Sequence, residues 1–224
     1  MRLQLFCLGI LGAVAIASAQ APSKQAKQPP DPRSLVLVGD RFKPHKYDEM
    51  TPEQKTMIDH MLAGPRGSAD LPFVNVLLRS PEMGDLMQEF GGGVRFKTSV
   101  PQKLTELAII ITARYWTSQY EWQVHHRSAL QAGVSPAIAD AIAAGKRPQG
   151  MQPDEKAVYD FCTELLNTKQ VGDSTFNAAK AAVGERGVVD LMGWLIWYET
   201  VCMVLNVDRY PLPEGAQAEL KPLK

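Results

Sequence analysis

LTELAIIITARYWTSQYEWQVHHRSALQAG, residues 104–133, reads as helix throughout, with none of the strict apolar–polar alternation of a strand. The stretch is too long for one straight helix. Thr117-Ser118 interrupts it with residues that favour caps over helix interiors, and Ser118 followed three places on by Glu121 makes a capping-box pattern. One helix is therefore expected to end near Tyr115 or Trp116, and a second to begin at Ser118.

The flanking sequence repeats this grammar. Thr51-Pro52-Glu53-Gln54 supplies a cap, a first-turn proline and a capping-box partner before Met57, Ile58, Met61 and Leu62. Ser80-Pro81-Glu82 opens another helix through Leu86, Met87 and Phe90, which Gly91-Gly92-Gly93 is expected to end as a flexible hinge. Ser135-Pro136 opens a third, closed by Gly145, and Pro153-Asp154-Glu155 a fourth. A short helix starts at Asp173 or Ser174, and a long one runs from about Glu185 to Asn206. Asp70–Leu78 contains Pro72 and reads as a loop or short helix. These signals predict a single all-α domain.

The ends differ in character. Met1-Arg2, the apolar run Leu5–Ile16 and Ala17-Ser18-Ala19 form a signal-peptide pattern, with cleavage expected before Gln20. The run is shorter than the ~20 residues that span a bilayer, so no stable membrane insertion is expected after cleavage. This implies export, to a periplasm or the extracellular space. Residues 20–46, with Pro22, Pro29, Pro30 and Pro32, read as a flexible Pro/Gln-rich leader. The domain is expected over 47–210, and 211–224 as a C-terminal tail.

Acidic and basic side chains balance at 24 each, with no basic block and no basic–aromatic interleaving, which disfavours a nucleic-acid partner. Cys162 and Cys202 are the cysteines left after cleavage. Both sit among apolar residues, so a disulfide and two buried thiols are both open. Forty positions apart, they make neither a CxxC pair nor a zinc site.

Three side chains stand out. Glu106 has Ile109, Ile110 and Ala113 as same-face neighbours. It reads either as an acid or base with a raised pKa or as a partly exposed Glu favoured by the helix dipole. Glu121 and His125, four apart, share one face. A carboxylate beside an imidazole orients the ring and suits proton transfer near neutral pH, but the same spacing also serves ordinary ion pairs and caps. His126 points about 100° away and reads as packing. The set lacks zinc-enzyme and di-iron spacing, so no metal is expected.

The run Glu106…Ser118-Gln119-Tyr120-Glu121-Trp122-x-x-His125, then Ala129-x-x-Ala132-Gly133-Val134-Ser135, resembles the carboxymuconolactone decarboxylase family, which shares its fold with AhpD-type alkylhydroperoxidases. The likeness extends more loosely over about 47–210, including Trp194, Tyr198 and Asn206. It implies an AhpD-like helical bundle and homo-oligomers, trimers or hexamers. In the AhpD branch, a CxxC pair works with a relay glutamate and histidine. By spacing, Glu106 and His125 match the relay, whereas Ser118 and Glu121 occupy the two cysteine positions. This chain resembles the branch without the redox pair, which disfavours an alkylhydroperoxidase or peroxiredoxin-type antioxidant role.

That branch implies a cofactor-free carboxy-lyase acting on a small carboxylated lactone or related acid. His125 would donate the proton, Glu121 position it, Glu106 relay and Tyr120 hydrogen-bond. Arg114 or Arg127 would hold a substrate carboxylate, and Trp122 would line the substrate site. A non-catalytic oligomeric envelope protein is the remaining alternative.

Overall fold

The computed structural model describes residues 30–222, so the expected signal peptide lies outside the described residues. Eight α-helices and no strand form among them: α1 (Pro52–Ala63), α2 (Val74–Leu77), α3 (Pro81–Lys97), α4 (Gln102–Tyr115), α5 (Gln119–Gln131), α6 (Pro136–Ala143), α7 (Pro153–Thr168) and α8 (Asp173–Asp208). Proline at the first helical position opens α1, α3, α6 and α7, where its missing N–H costs nothing and its fixed φ fits the helix. Thr51 and Gln54 close a reciprocal capping box on α1. The all-α expectation is met.

α4 is the central element. All residues from Leu104 to Arg114 are buried, and the helix packs on α5, α7 and α8. It separates two apolar cores. Leu107, Ile110 and Ile111 enter one with α6, α7 and the early part of α8. Ile109 enters the other with α1, α2 and the later part of α8. Gly184, at φ 74° and ψ 170°, breaks α8 into two arms. Its position agrees with the expected gap between a short helix and a long one.

Three local expectations are corrected. First, the glycine triplet does not end α3, which continues to Lys97. Gly91 lies against Trp197, and a Cβ there would sit 2.4 Å from the indole, so the glycine permits close packing. Second, Ser118 makes no side-chain cap. α4 instead closes with Thr117 at φ 49°, Thr117 N donating to Arg114 O (3.0 Å) and Ser118 N to Ala113 O (2.9 Å), a Schellman turn with threonine where glycine is usual. Glu121 is thereby free of the cap.

Third, the chain ends are fastened to the helical body where they are described. In the segment expected as a flexible leader, Phe42 N donates to Asp208 Oδ1 (2.9 Å) and Asn75 Nδ2 to Phe42 O (2.6 Å). In the tail, Leu220 is buried, and its N–H and C=O both bond the Gln119 side chain at 3.0 and 2.7 Å. Among the described residues α8 is long and apolar enough to cross a bilayer, but half of its apolar window is packed inside the protein.

Candidate functional site

The Schellman turn folds α5 back along α4 and brings Glu106, from the second turn of α4, against His125. His125 Nδ1 donates to Glu106 Oε2 at 2.7 Å. On the other side of the ring, Nε2 lies 3.4 Å from Glu121 Oε2, one helical turn back on α5. Glu106, Glu121 and His125 are 3%, 4% and 6% exposed. The reading of Glu106 as a partly exposed dipole partner is therefore replaced by a buried carboxylate bound to an imidazole.

The two carboxylates differ. Glu106 fixes the ring through a short hydrogen bond, whereas Glu121 Oε2 is buried without a hydrogen-bond partner among the described residues. Burial pushes the Glu121 carboxyl above the usual range; His125 and Arg95 oppose that shift, and Glu106 adds to it. A buried acceptor without a donor is costly, and such sites are disproportionately functional.

Tyr198 of α8 packs against the cluster. Its ring meets His125 edge-to-face with centroids 4.9 Å apart, and it stacks on Trp194 at 5.6 Å. Arg95 Nη1, from α3, donates to the Tyr198 hydroxyl at 2.7 Å. Burial first, then the nearby Glu121 and Glu106, push the phenol upward against the pull of Arg95, so Tyr198 stays a neutral hydroxyl. Sequence reasoning placed Tyr198 only within a family likeness and missed Arg95. The latter lies on the part of α3 beyond the glycines that were expected to end the helix.

The remaining expected site residues lie elsewhere. Tyr120 is half-buried and packs edge-to-face on Tyr210 at 4.8 Å. Trp122 is core, with its Nε1 donating to Glu219 Oε2 at 2.9 Å. Arg114 faces a separate cavity between α4, α6 and α7, and Nη2 donates to Lys221 O at 2.7 Å. The structure thus joins Glu106, Glu121 and His125, and leaves Tyr120, Trp122 and Arg114 outside the cluster.

Cys162 and Cys202 are buried and unpaired, which resolves the open choice against a disulfide. Burial pushes the Cys162 thiol up to about 12. It also raises Cys202 well above the usual thiol range, with Glu121 adding to the effect and the neighbouring Ser118 hydroxyl opposing it. Such thiols are poor nucleophiles. Both nitrogens of His125 face carboxylates, and among the described residues no three His, Cys, Asp or Glu side chains surround a common ion position.

Residues 81–164 match the carboxymuconolactone decarboxylase family model. Among solved structures, the chain is similar to a protein of unknown function from Agrobacterium tumefaciens, described as a candidate antioxidant defence protein AhpD. The TM-score is 0.55 at 13% identity, over 62% of this chain and 96% of that one, a likeness of fold. No curated protein matches the sequence. The matched segment holds α3 to α6 and most of α7, with Glu106, Glu121 and His125 inside it, and over this segment the chain is similar to the carboxymuconolactone decarboxylase family, on an AhpD-like all-α fold.

Proposed function

We propose that the protein is a cofactor-free carboxy-lyase acting on a small carboxylated lactone or related acid, with His125 as the proton donor. The observation that carries this reading is the buried imidazole between a hydrogen-bonded carboxylate at 2.7 Å and an unsatisfied one at 3.4 Å. In the reaction, the bond between the substrate carboxylate and its α-carbon breaks, carbon dioxide leaves, and the electron pair passes into the adjacent unsaturated carbonyl as an enolate. That enolate then takes a proton at carbon. His125 Nε2 delivers it, while Glu106 on Nδ1 holds the ring and balances the imidazolium. Glu121 Oε2, 3.4 Å from Nε2, is placed to pass a proton to the ring. The reading requires that Tyr198 swing off the ring and its bond to Arg95 open to admit substrate to His125.

The test is carbon dioxide release from a panel of carboxylated lactones. His125→Ala is expected to lower kcat by about 10²–10⁴-fold with unchanged far-UV circular dichroism, and full turnover by that variant would sink the mechanism. Peroxide consumption with a thiol reductant tests the antioxidant alternative. Activity lost in Cys202→Ser would establish it in place of the lyase.

A second reading rests on the closure of this centre, with His125 only 6% exposed, together with a stripe of exposed apolar residues on α8. Val189, Met192, Ile196, Met203 and Val207 recur at helical spacing. They suit a self-associating protein of the cell envelope that has kept the fold without the reaction. Self-association as a trimer or hexamer accords with both readings. Absence of turnover across the panel, with an intact oligomer, would favour the second.

A further inference from the structure

Arg114 is 4% exposed and has no carboxylate partner among the described residues. Its Nη2 donates to Lys221 O at 2.7 Å and reaches Thr117 Oγ1 at 3.4 Å, while Nε and Nη1 are buried with no acceptor. A buried guanidinium without counter-charge is costly. This one lines a cavity of about 180 Å³ between α4, α6 and α7. Ile111, Ile142 and Leu166 give the cavity an apolar wall, and Lys146, just after α6, adds a second cation at its rim. Tyr159 and Thr163 of α7 add hydroxyl groups, and no Asp or Glu lines the space. The nearby Asp160 is already paired with Arg147 at 2.5 Å and Lys156 at 2.7 Å.

We propose that this cavity binds a small organic carboxylate with an apolar body, of about the size of benzoate. The carboxylate lies between the Arg114 guanidinium, which turns its unpartnered nitrogens to the ligand on binding, and the Lys146 ammonium; the body rests on Ile111, Ile142 and Leu166. The guanidinium edge matches a carboxylate in a bidentate fork. The cavity, about 180 Å³ and partly open to solvent, has room for a single ring. The site is separate from His125. Arg114 follows Glu106 by eight residues, about 12 Å along the α4 axis, and faces α6 and α7 where Glu106 faces α5. The inference therefore stands whether or not the protein is a lyase.

Isothermal titration calorimetry on the full chain tests it, with benzoate, benzyl alcohol and inorganic phosphate as probes. Benzoate is expected to bind saturably with a Kd of about 1 mM or tighter, and the neutral alcohol and bare phosphate at least tenfold more weakly. Arg114→Gln should weaken benzoate by tenfold or more. Because a change at that buried position also risks the fold, the exposed Lys146→Glu serves as the second variant, with an expected loss of threefold or more and an unchanged Tm without ligand. His125→Ala should bind benzoate as the wild type does. No saturable binding by the wild type below about 10 mM, equal binding of the alcohol or phosphate, or unaltered affinity in Lys146→Glu would overturn the proposal. Loss of benzoate binding in His125→Ala would overturn the separate location.

Discussion

At the scale of single residues, the imidazole of His125 is held by what surrounds it. Nδ1 is bound to Glu106, Nε2 faces Glu121, and the ring edge abuts Tyr198. Glu121 gives a test with a definite sign. Its folded-state pKa lies above the ordinary carboxylate value, with burial the main cause. Below that ordinary value both folded and unfolded chains hold the proton, and the group does not affect stability. As pH rises the unfolded chain ionises first, so stability falls until the folded pKa is passed and the penalty is complete. Glu121→Gln removes the penalty. Thermal unfolding at a series of pH values should therefore show the variant gaining on the wild type as pH rises, with the gap closing in acid. A gap independent of pH would show that burial of the charge is not its source. The Glu106–His125–Glu121 set was legible in the sequence because helical spacing and the family motif converge on it. The Arg95–Tyr198 contact was not, since it spans 103 positions and no local pattern encodes it. Arg114 and Trp122 share the motif's helices, but their side chains leave at other angles, into a different cavity and into the core.

At the scale of elements, proline–cap grammar located the helix starts because those signals act within one turn. The glycine triplet misled because its reason is tertiary. Gly91 exists to admit the Trp197 indole of α8. In an exposed helix Gly→Ala would add up to about 1 kcal/mol of stability. At Gly91 the added carbon would lie 2.4 Å from the ring, and overpacking costs about 1–3 kcal/mol. Gly91→Ala is thus expected to lower the Tm, by several degrees, and a rise would show that α3 moves aside freely. The Ser118 capping box failed for a related reason. The turn between α4 and α5 is closed by main-chain bonds to Ala113 and Arg114, which leaves Glu121 to face His125.

At the scale of the whole molecule, the exposed α8 stripe meets α3 at a cleft lined by Leu86, Phe90, Val94 and Val189, with Glu89, Lys97 and Asp190 among them. Exposed apolar residues gathered in this way suit the self-association proposed above. Ile196, 56% exposed, lies on the stripe. Ile196→Glu is expected to shift the particle to monomer mass in light scattering with unchanged helicity, and an unaltered mass would place the interface elsewhere. The fastening of residues 30–46 and of the tail was not legible. Each end is tied by single long-range bonds, such as those to Asp208 and Gln119, without any periodic pattern of its own.

The two unpaired cysteines also divide the interior between them. Cys162 belongs to the core shared by α4, α6 and α7, whereas Cys202 sits beside Ser118 and Glu121 at the edge of the imidazole cluster. A thiol-reactive dye added to the native protein therefore has two clocks to run. If the Tyr198 side opens on its own, Cys202 is modified faster than Cys162; if the molecule opens only as a unit, the two rates coincide.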